Sequence, residues 1–513
     1  LNPTAICPKN NVHCEIRTGG ISMKQRHRFV FLWSWIFLCV FVLTAKAAEL
    51  AITEGLMDFQ VLQRGADNTA SVQVSGTSEK DAVVEFTVLK DNENVNGLQW
   101  QTLAECKDTI WHGTIEKIPV GGPYTIQIRL KKSESEPLAI KDILVGDLWI
   151  LAGQSNMQGY GNLANAEEPS PLVHNYEYAE RWTIAKEPLH ALLESIDPVH
   201  WGKLTDEAKR KQEAEKWRNA TKKGAGPALP FAKEMVARTG IPIGLVPCAH
   251  GGTSMDQWHF GKKFEGGASL YGSMVRRFQV VGGKVKGILW YQGESDASPT
   301  IAPEYEKKFR EFITAVRQDF NEPDLPFYYV QIGRFIHYKV SINDWNIVQD
   351  AQRRLAGEIP HCGVVPAMDL ELDDPIHVGT EGHKRLGKRL ANLACRDLFG
   401  QTDILIGPSD PAAKYVNDGG HKVIVTFQNV NGKLTGPGRV NGFSIRNQDR
   451  ADLYLIYDQR LEESTPNAVI LDLAAEAPAD SILYYGWGAD TYCTVVDEKD
   501  MAVPAFGPIP VER

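Results

Sequence analysis

Five near-continuous apolar runs constrain this chain more than any other feature: Asp147–Ala152, Pro242–Cys248, Val285–Tyr291, Pro326–Ile332 and Cys362–Ala367. Runs without apolar–polar alternation suit strands covered on both faces, as in buried parallel sheets. Helical periodicity fills the gaps between them. From Glu304 to Phe320, the residues Tyr305, Phe309, Ile313, Val316 and Phe320 fall on one face. A second helix follows Thr380, read as its N-cap, with Leu386, Leu390 and Leu393 on the buried stripe. Strands alternating with helices predict a doubly wound α/β domain over residues 143–401. Its expected core is a five-stranded parallel sheet with helices on both faces.

The flanks read differently. Residues 48–142 alternate with period two, as in Ala70–Gly76, Val83–Leu89 and Tyr124–Leu130 after the Gly121-Gly122-Pro123 turn. That pattern predicts a small N-terminal β-sandwich. Residues 402–513 return to short strands such as His421–Phe427 and Leu453–Tyr457, a C-terminal β-rich domain. Residues 160–226 form an insertion after the first apolar strand, and its charged stretch Thr205–Lys223 is expected to be a solvated helix.

The N-terminus carries an export signal. Met23 opens the basic stretch Lys24 to Arg28, Phe29 to Leu43 is apolar, and Ala45-Lys46-Ala47 is a small-x-small cleavage pattern. The apolar run is about 15 residues, short for a span that needs roughly 20. Cleavage after Ala47 is therefore expected rather than a membrane anchor, giving a secreted or periplasmic protein without stable membrane association. Residues 1–22 read as an over-extended start, with Met23 as initiator. Residues 1–47 would be removed.

The chain has 513 residues and a formal net charge of −9, with no basic stripe of the kind that binds nucleic acid. Past Ala47 it keeps Cys106, Cys248, Cys362, Cys395 and Cys493, an odd number too widely spaced for a disulfide framework. No CxxC or HExxH spacing asks for a metal, and no motif asks for another cofactor.

In open α/β sheets, ligands bind beyond the carboxyl ends of the strands. Four of the five ends carry small, polar or titratable residues: Gly153-Gln154-Ser155, His250-Gly251-Gly252-Thr253, Gln292-Gly293-Glu294-Ser295-Asp296, and Asp374-Pro375-Ile376-His377. Together they suit nucleophilic acyl transfer. A serine hydroxyl needs an adjacent base to be an effective nucleophile. Ser155 is the candidate nucleophile and His377 the base, with Asp374 three residues earlier to orient the imidazole. The oxyanion of a tetrahedral intermediate needs preorganised donors. Gly252, or Gly251, the Ser155 N–H and the Gln292 amide are candidates. Glu294 and Asp296 could instead be a carboxylate pair for glycoside hydrolysis. Two residues apart, they are better read as holding the loop. Trp182, Trp201, Trp217 and Trp258 are candidates for stacking on sugar rings, whereas Trp290 lies within a strand.

These motifs resemble the SGNH/GDSL-like hydrolases, in the sialate O-acetylesterase and carbohydrate acetylesterase branch. The resemblance rests on Val145-Gly-Asp-Leu-Trp-Ile-Leu-Ala-Gly-Gln-Ser-Asn-Met157, Gly251-Gly-Thr253, Trp290-Tyr-Gln-Gly-Glu-Ser-Asp296 and Asp374-Pro-Ile-His377. Outside the core, Val61-Leu-Gln-Arg64, Tyr485-Gly-Trp487 and Pro504–Pro508 also match. The resemblance implies a flavodoxin-like SGNH-hydrolase domain and a metal-free serine esterase acting on acetylated carbohydrates. It assigns Ser155, Asp374 and His377 to catalysis, and Gly252 with Gln292 to the oxyanion. Gln292 stands where the broader family has Asn. An acetylxylan or other polysaccharide deacetylase would use the same machinery. A non-catalytic carbohydrate-binding protein is the competing class.

Overall fold

The computed structural model describes residues 50–337 and 339–513. The expected leader and its cleavage site lie outside the described residues. Strand β1 (Leu138–Gly153) runs through two cores. Its first residues alternate and pair antiparallel with Gly121–Leu130 in the N-terminal region. From Ile143 onward every residue is buried, because a second face becomes covered there. The expected boundary at residue 142 thus falls inside one uninterrupted strand.

Six further strands complete the central sheet: β2 (Val173–Tyr176), β3 (Trp182–Ile184), β4 (Ile243–Pro247), β5 (Gly287–Tyr291), β6 (Phe327–Gln331) and β7 (Cys362–Pro366). Their spatial order is β3-β2-β4-β1-β5-β6-β7. All are parallel except the edge strand β3. The five expected strands stand in the flavodoxin-like order 2-1-3-4-5, with the switch point between β1 and β5. The sheet has six parallel strands rather than five, because β2 comes from the insertion. Val-His-Asn-Tyr shows no apolar run, yet all four residues are buried.

The helices are α1 (Ser155–Gln158), α2 (Glu207–Ala220), α3 (Ala228–Thr239), α4 (Leu270–Val280), α5 (Tyr305–Asp319), α6 (Ile342–Glu358) and α7 (Thr380–Phe399). On one face Trp149 packs edge-on against Phe231 of α3, which lies along α7. On the other, Trp290 packs against Phe309 and Phe312 of α5, which lies along α6. Helix α2 is the charged helix of the insertion, started by Asp206 accepting from the Lys209 N–H at 2.8 Å. Thr380 is not the N-cap of α7. Gly379 holds that position, and the Thr380 hydroxyl donates to the Asn162 carbonyl at 2.6 Å.

The N-terminal region encloses its own apolar core between two sheets. The C-terminal region is built on a seven-stranded sheet around Val423, Leu471, Leu483 and Phe506. The strand expected at Leu453–Tyr457 begins only at Ile456, because Tyr454 adopts a left-handed φ of 49°.

Two buried ion pairs dock these regions on the central sheet. Arg64 grips Asp147 of β1 with two bonds of 2.9 Å, and the neighbouring Gln63 accepts from the Leu148 N–H at 2.7 Å. Arg389 of α7 grips Asp369, just past β7, at 2.8 and 2.7 Å. It also donates to the carbonyls of Pro366 and Asp500, so one guanidinium ties the sheet to the C-terminal region. Arg389 is fully buried, and removing one partner of a buried pair leaves the other uncompensated. Arg389→Met is expected to cost about 3–5 kcal/mol. Urea denaturation followed by tryptophan fluorescence checks this; an unchanged midpoint would show that the pair contributes no net stability.

Candidate active site

The site forms where β1 ends. Gly153 has φ 124°, and a Cβ there would lie 2.2 Å from the Tyr291 carbonyl oxygen of β5. Only glycine allows the two parallel strands to stay paired through this turn. The chain then enters α1 with Ser155 as first residue, almost fully buried. A first-turn N–H has no intrahelical acceptor, and the Ser155 N–H makes no hydrogen bond among the described residues.

The loop after β4 passes beside this serine. The His250 N–H donates to the Gly153 carbonyl at 3.0 Å. A Cβ on Gly251 would sit 3.3 Å from the Ser155 Cβ, so Gly251 gives the serine its room. The Gly251 N–H, however, donates to Gln158 Oε1 at 2.8 Å. The Gln292 amide is likewise occupied: its nitrogen donates to the Thr253 carbonyl at 3.0 Å and to Asp296 at 2.5 Å. Gly252, with φ 70° and an exposed backbone, makes no N–H bond among the described residues. Of the four sequence candidates for oxyanion donors, the N–H groups of Gly252 and Ser155 are open among the described residues, and those of Gly251 and Gln292 are occupied. Gln292 ties the loops after β4 and β5 together.

Past β7 lie Asp374 and His377. The His377 Nδ1 meets both Asp374 oxygens at 2.8 and 2.9 Å. Asp374 Oδ1 also accepts from the backbone N–H groups of Ile376 and His377, and Oδ2 accepts from Lys223 Nζ at 2.6 Å. Partial burial works against ionisation of Asp374, but Lys223, His377 and the two backbone donors outweigh it. They hold the carboxyl well below the usual carboxylate range. The Tyr160 ring stacks on His377 with centroids 4.2 Å apart.

Asn156 joins the loops. Its Nδ2 donates to Glu294 Oε1 at 2.7 Å and to the Ile376 carbonyl at 3.4 Å, and its Oδ1 accepts from the Val378 N–H at 3.0 Å. The residue next to Ser155 therefore holds both peptide groups that flank His377. Sequence reasoning passed over Asn156 although it lies inside the Gly-Gln-Ser-Asn motif. Lys223 and Tyr160, both from the insertion, carry no sequence signal.

Glu294 and Asp296 face inward. Asp296 accepts from the Met255 N–H and from Gln292, and burial pushes its carboxyl up to about 6. Burial pushes Glu294 up to about 7, against the bond from Asn156, and its Oε2 has no partner among the described residues. Of the candidate stacking tryptophans, Trp182 and Trp258 are core residues. Arg210 covers the Trp201 ring at 3.8 Å. Among the described residues no cluster of His, Cys, Asp or Glu is arranged to hold a metal ion, and no helix is long and apolar enough to cross a membrane.

Glu294 makes stability depend on pH. The folded carboxyl keeps its proton up to about 7, against 4.5 for the ordinary group. The native state binds the proton more tightly, so the stability it lends is complete below the ordinary value and lost as pH rises through about 7. Glu294→Gln retains the acceptor for Asn156 and cannot ionise. The stability of this variant relative to wild type should rise by about 1–3 kcal/mol between pH 5 and pH 8. Urea titrations at both pH values check this, and parallel curves would refute it.

A family model described as carbohydrate esterase, sialic acid-specific acetylesterase, matches residues 145–396. A probable carbohydrate esterase of Arabidopsis thaliana is 30% identical over 281 residues, covering 50% of this chain and 94% of the relative. Human sialate O-acetylesterase is 24% identical over 342 residues, 60% of this chain. The chain spans 63% of that relative's length. The crystal structure of a carbohydrate acetylesterase from Xanthomonas citri superposes with a TM-score of 0.61 at 21% identity, covering 89% of this chain and 99% of that one, a likeness of fold. The matched segment holds Ser155, the Gly251-Gly252 turn, Gln292 and the Asp374–His377 pair, and the chain belongs to the carbohydrate esterases, which are carboxylic ester hydrolases.

Proposed function

We propose that this protein is an exported serine esterase that removes O-acetyl groups from sugars in the manner of a sialate O-acetylesterase. Ser155 is the nucleophile, His377 its base and Asp374 the group that orients His377. The observation that carries this reading is the Asn156 clamp, which fastens the segment of a carboxylate-paired histidine to the residue beside a buried, helix-starting serine. The basic, apolar and small-residue order over residues 23–47 supports export.

In this mechanism the Ser155 Oγ attacks the acetyl carbonyl carbon while its proton passes to His377 Nε2. Asp374 accepts from Nδ1–H and stabilises the imidazolium. The oxyanion is met by the N–H groups of Gly252 and Ser155. Collapse expels the sugar oxygen, which takes the proton from His377. Water, deprotonated by the same imidazole, then releases acetate from the serine. Every step uses side chains and backbone donors of the chain itself.

Ser155→Ala should lower kcat for acetate release by at least roughly a thousandfold with the fold intact by circular dichroism. A wild-type rate in this variant would sink the assignment. Acetate release from O-acetylated sialic acids, acetylxylans and small acetylated sugars settles the substrate. Preference for xylans would favour a polysaccharide deacetylase with the same site.

Lys223→Met tests the electrostatics. Without the ammonium, the Asp374 charge acts more fully on His377, and the imidazolium is easier to form. The acid limb of kcat/KM should move to higher pH by a few tenths of a unit, a modest shift because Lys223 is partly exposed. Lys223→Arg should restore the limb. A lower rate with an unmoved limb would make Lys223 a packing residue only.

A further inference from the structure

A chain of hydrogen bonds behind the Gly251-Gly252 turn serves no step of that mechanism. It starts at Asp197, which is buried and held by Arg276 through two bonds of 2.8 Å. Ser273 Oγ donates to Asp197 Oδ2 at 2.6 Å. With its proton committed there, Ser273 meets His200 Nε2, 3.4 Å away, as an acceptor. His200 therefore carries its proton on Nε2 and presents a lone pair at Nδ1. His250 Nδ1 lies 3.0 Å from that lone pair and must donate to it. The chain leaves His250 with its proton on Nδ1 and a lone pair on Nε2. Burial favours the neutral form of both rings, strongly for His200.

His250 lines a cleft of about 280 Å³, at the small end of the range for ligand sites. Its peptide N–H is bonded to Gly153, and the next residue, Gly251, faces Ser155, so the His250 wall of the cleft stands one residue from the serine's neighbour. Gln257, Lys262 and Glu265 line it together with the apolar Val199, Ala268 and Leu270. Such a mixed wall offers hydrogen-bonding groups and apolar contact, as the edges and faces of a sugar ring require. His250 Nε2 takes no hydrogen bond among the described residues.

We propose that His250 is a specificity residue whose Nε2 accepts a hydrogen bond from a free hydroxyl of the acetylated sugar seated in this cleft. The inference rests on the serine-esterase reading above. The anion at Asp197, fixed by Arg276, sets the tautomer two rings away, so that an acceptor and not a donor faces the substrate. An acceptor placed for one hydroxyl discriminates against an analogue that lacks it, because the half-buried imidazole then loses that bond.

The test uses the whole exported protein and two esters: 4-nitrophenyl acetate, which has no sugar, and a mono-O-acetylated methyl glycoside chosen from the panel. His250→Asn keeps a donor near the position of Nδ1 and removes the acceptor at Nε2. The ratio of kcat/KM for the glycoside to that for the activated ester should fall tenfold or more. One monodeoxy analogue of the glycoside should be equally slow with wild type and variant. Equal losses on both esters, or an unchanged ratio, would overturn the proposal while Ser155-dependent turnover persists, so its failure is separable from failure of the esterase reading. Should the variant not fold, 15N spectra of histidine-labelled wild type decide: His250 protonated at Nδ1 and His200 at Nε2 are expected, and the reverse arrangement overturns the proposal.

Discussion

The site depends on the side chain of Asn156. One amide reaches the loop after β5 through Glu294 and the loop after β7 through the peptides on either side of His377. Those loops are 138 and 222 residues away in the chain. No local propensity brings them together, and the Asn156 amide ties the segments of Ser155 and His377 to each other at the ends of the sheet. An amide suits the position because it donates to a carboxyl and a carbonyl while accepting from an N–H. A carboxylate of the same shape has no N–H to donate to the Glu294 carboxyl and the Ile376 carbonyl. The clamp also needs β1 and β5 to stay paired to their ends, which Gly153 permits by leaving no Cβ against Tyr291.

The fold was legible where burial is two-sided. The runs at Asp147–Ala152 and Val285–Tyr291 are apolar without alternation because helices cover both faces, and periodicity also located α5 to within a residue at each end. Strand β2 was not legible, since its His174 and Asn175 are buried through particular partners, such as the Phe59 carbonyl on His174, rather than through apolarity. The Thr380 cap failed for a related reason. A threonine before a helical pattern is a fair N-cap signal, but here its hydroxyl goes to a carbonyl of the insertion. At the site, strand-end position identified the residue types. Donor occupancy was invisible to that reasoning, because whether a glycine N–H is open depends on what Gln158 and Asp296 do with their oxygens and neighbours.

The carboxyls around the site receive opposite treatment from one cause. Asp374 is partly exposed and has a cation, an imidazole and two backbone donors, so it stays ionised. Glu294 is buried with one donor, and Glu187, which accepts from the Gly226 and Leu189 N–H groups, is pushed up to about 8. Burial without a cation favours the proton, whereas a cation at 2.6 Å opposes it. The protein thus keeps its negative charge beside His377 and largely suppresses it in the walls, where an extra carboxylate would compete for the imidazolium.

The insertion at 160–226 supplies much of this arrangement. It adds the sixth parallel strand, stacks Tyr160 on His377, brings Lys223 to Asp374, and contributes Asp197 and His200 behind the Gly251-Gly252 turn. Asp373 pins it by accepting from the Asn162 N–H and side chain. The insertion therefore touches the Asp374–His377 pair from one side and lines the cleft at His250 from the other. Its residues act on groups that strand order has already placed: the sheet fixes Ser155, Gly252 and His377, and the insertion sets the charge and the hydrogen-bonding sense around them. The sheet places the β1–β5 switch point and Ser155, and the insertion surrounds them with Tyr160, Lys223 and His200.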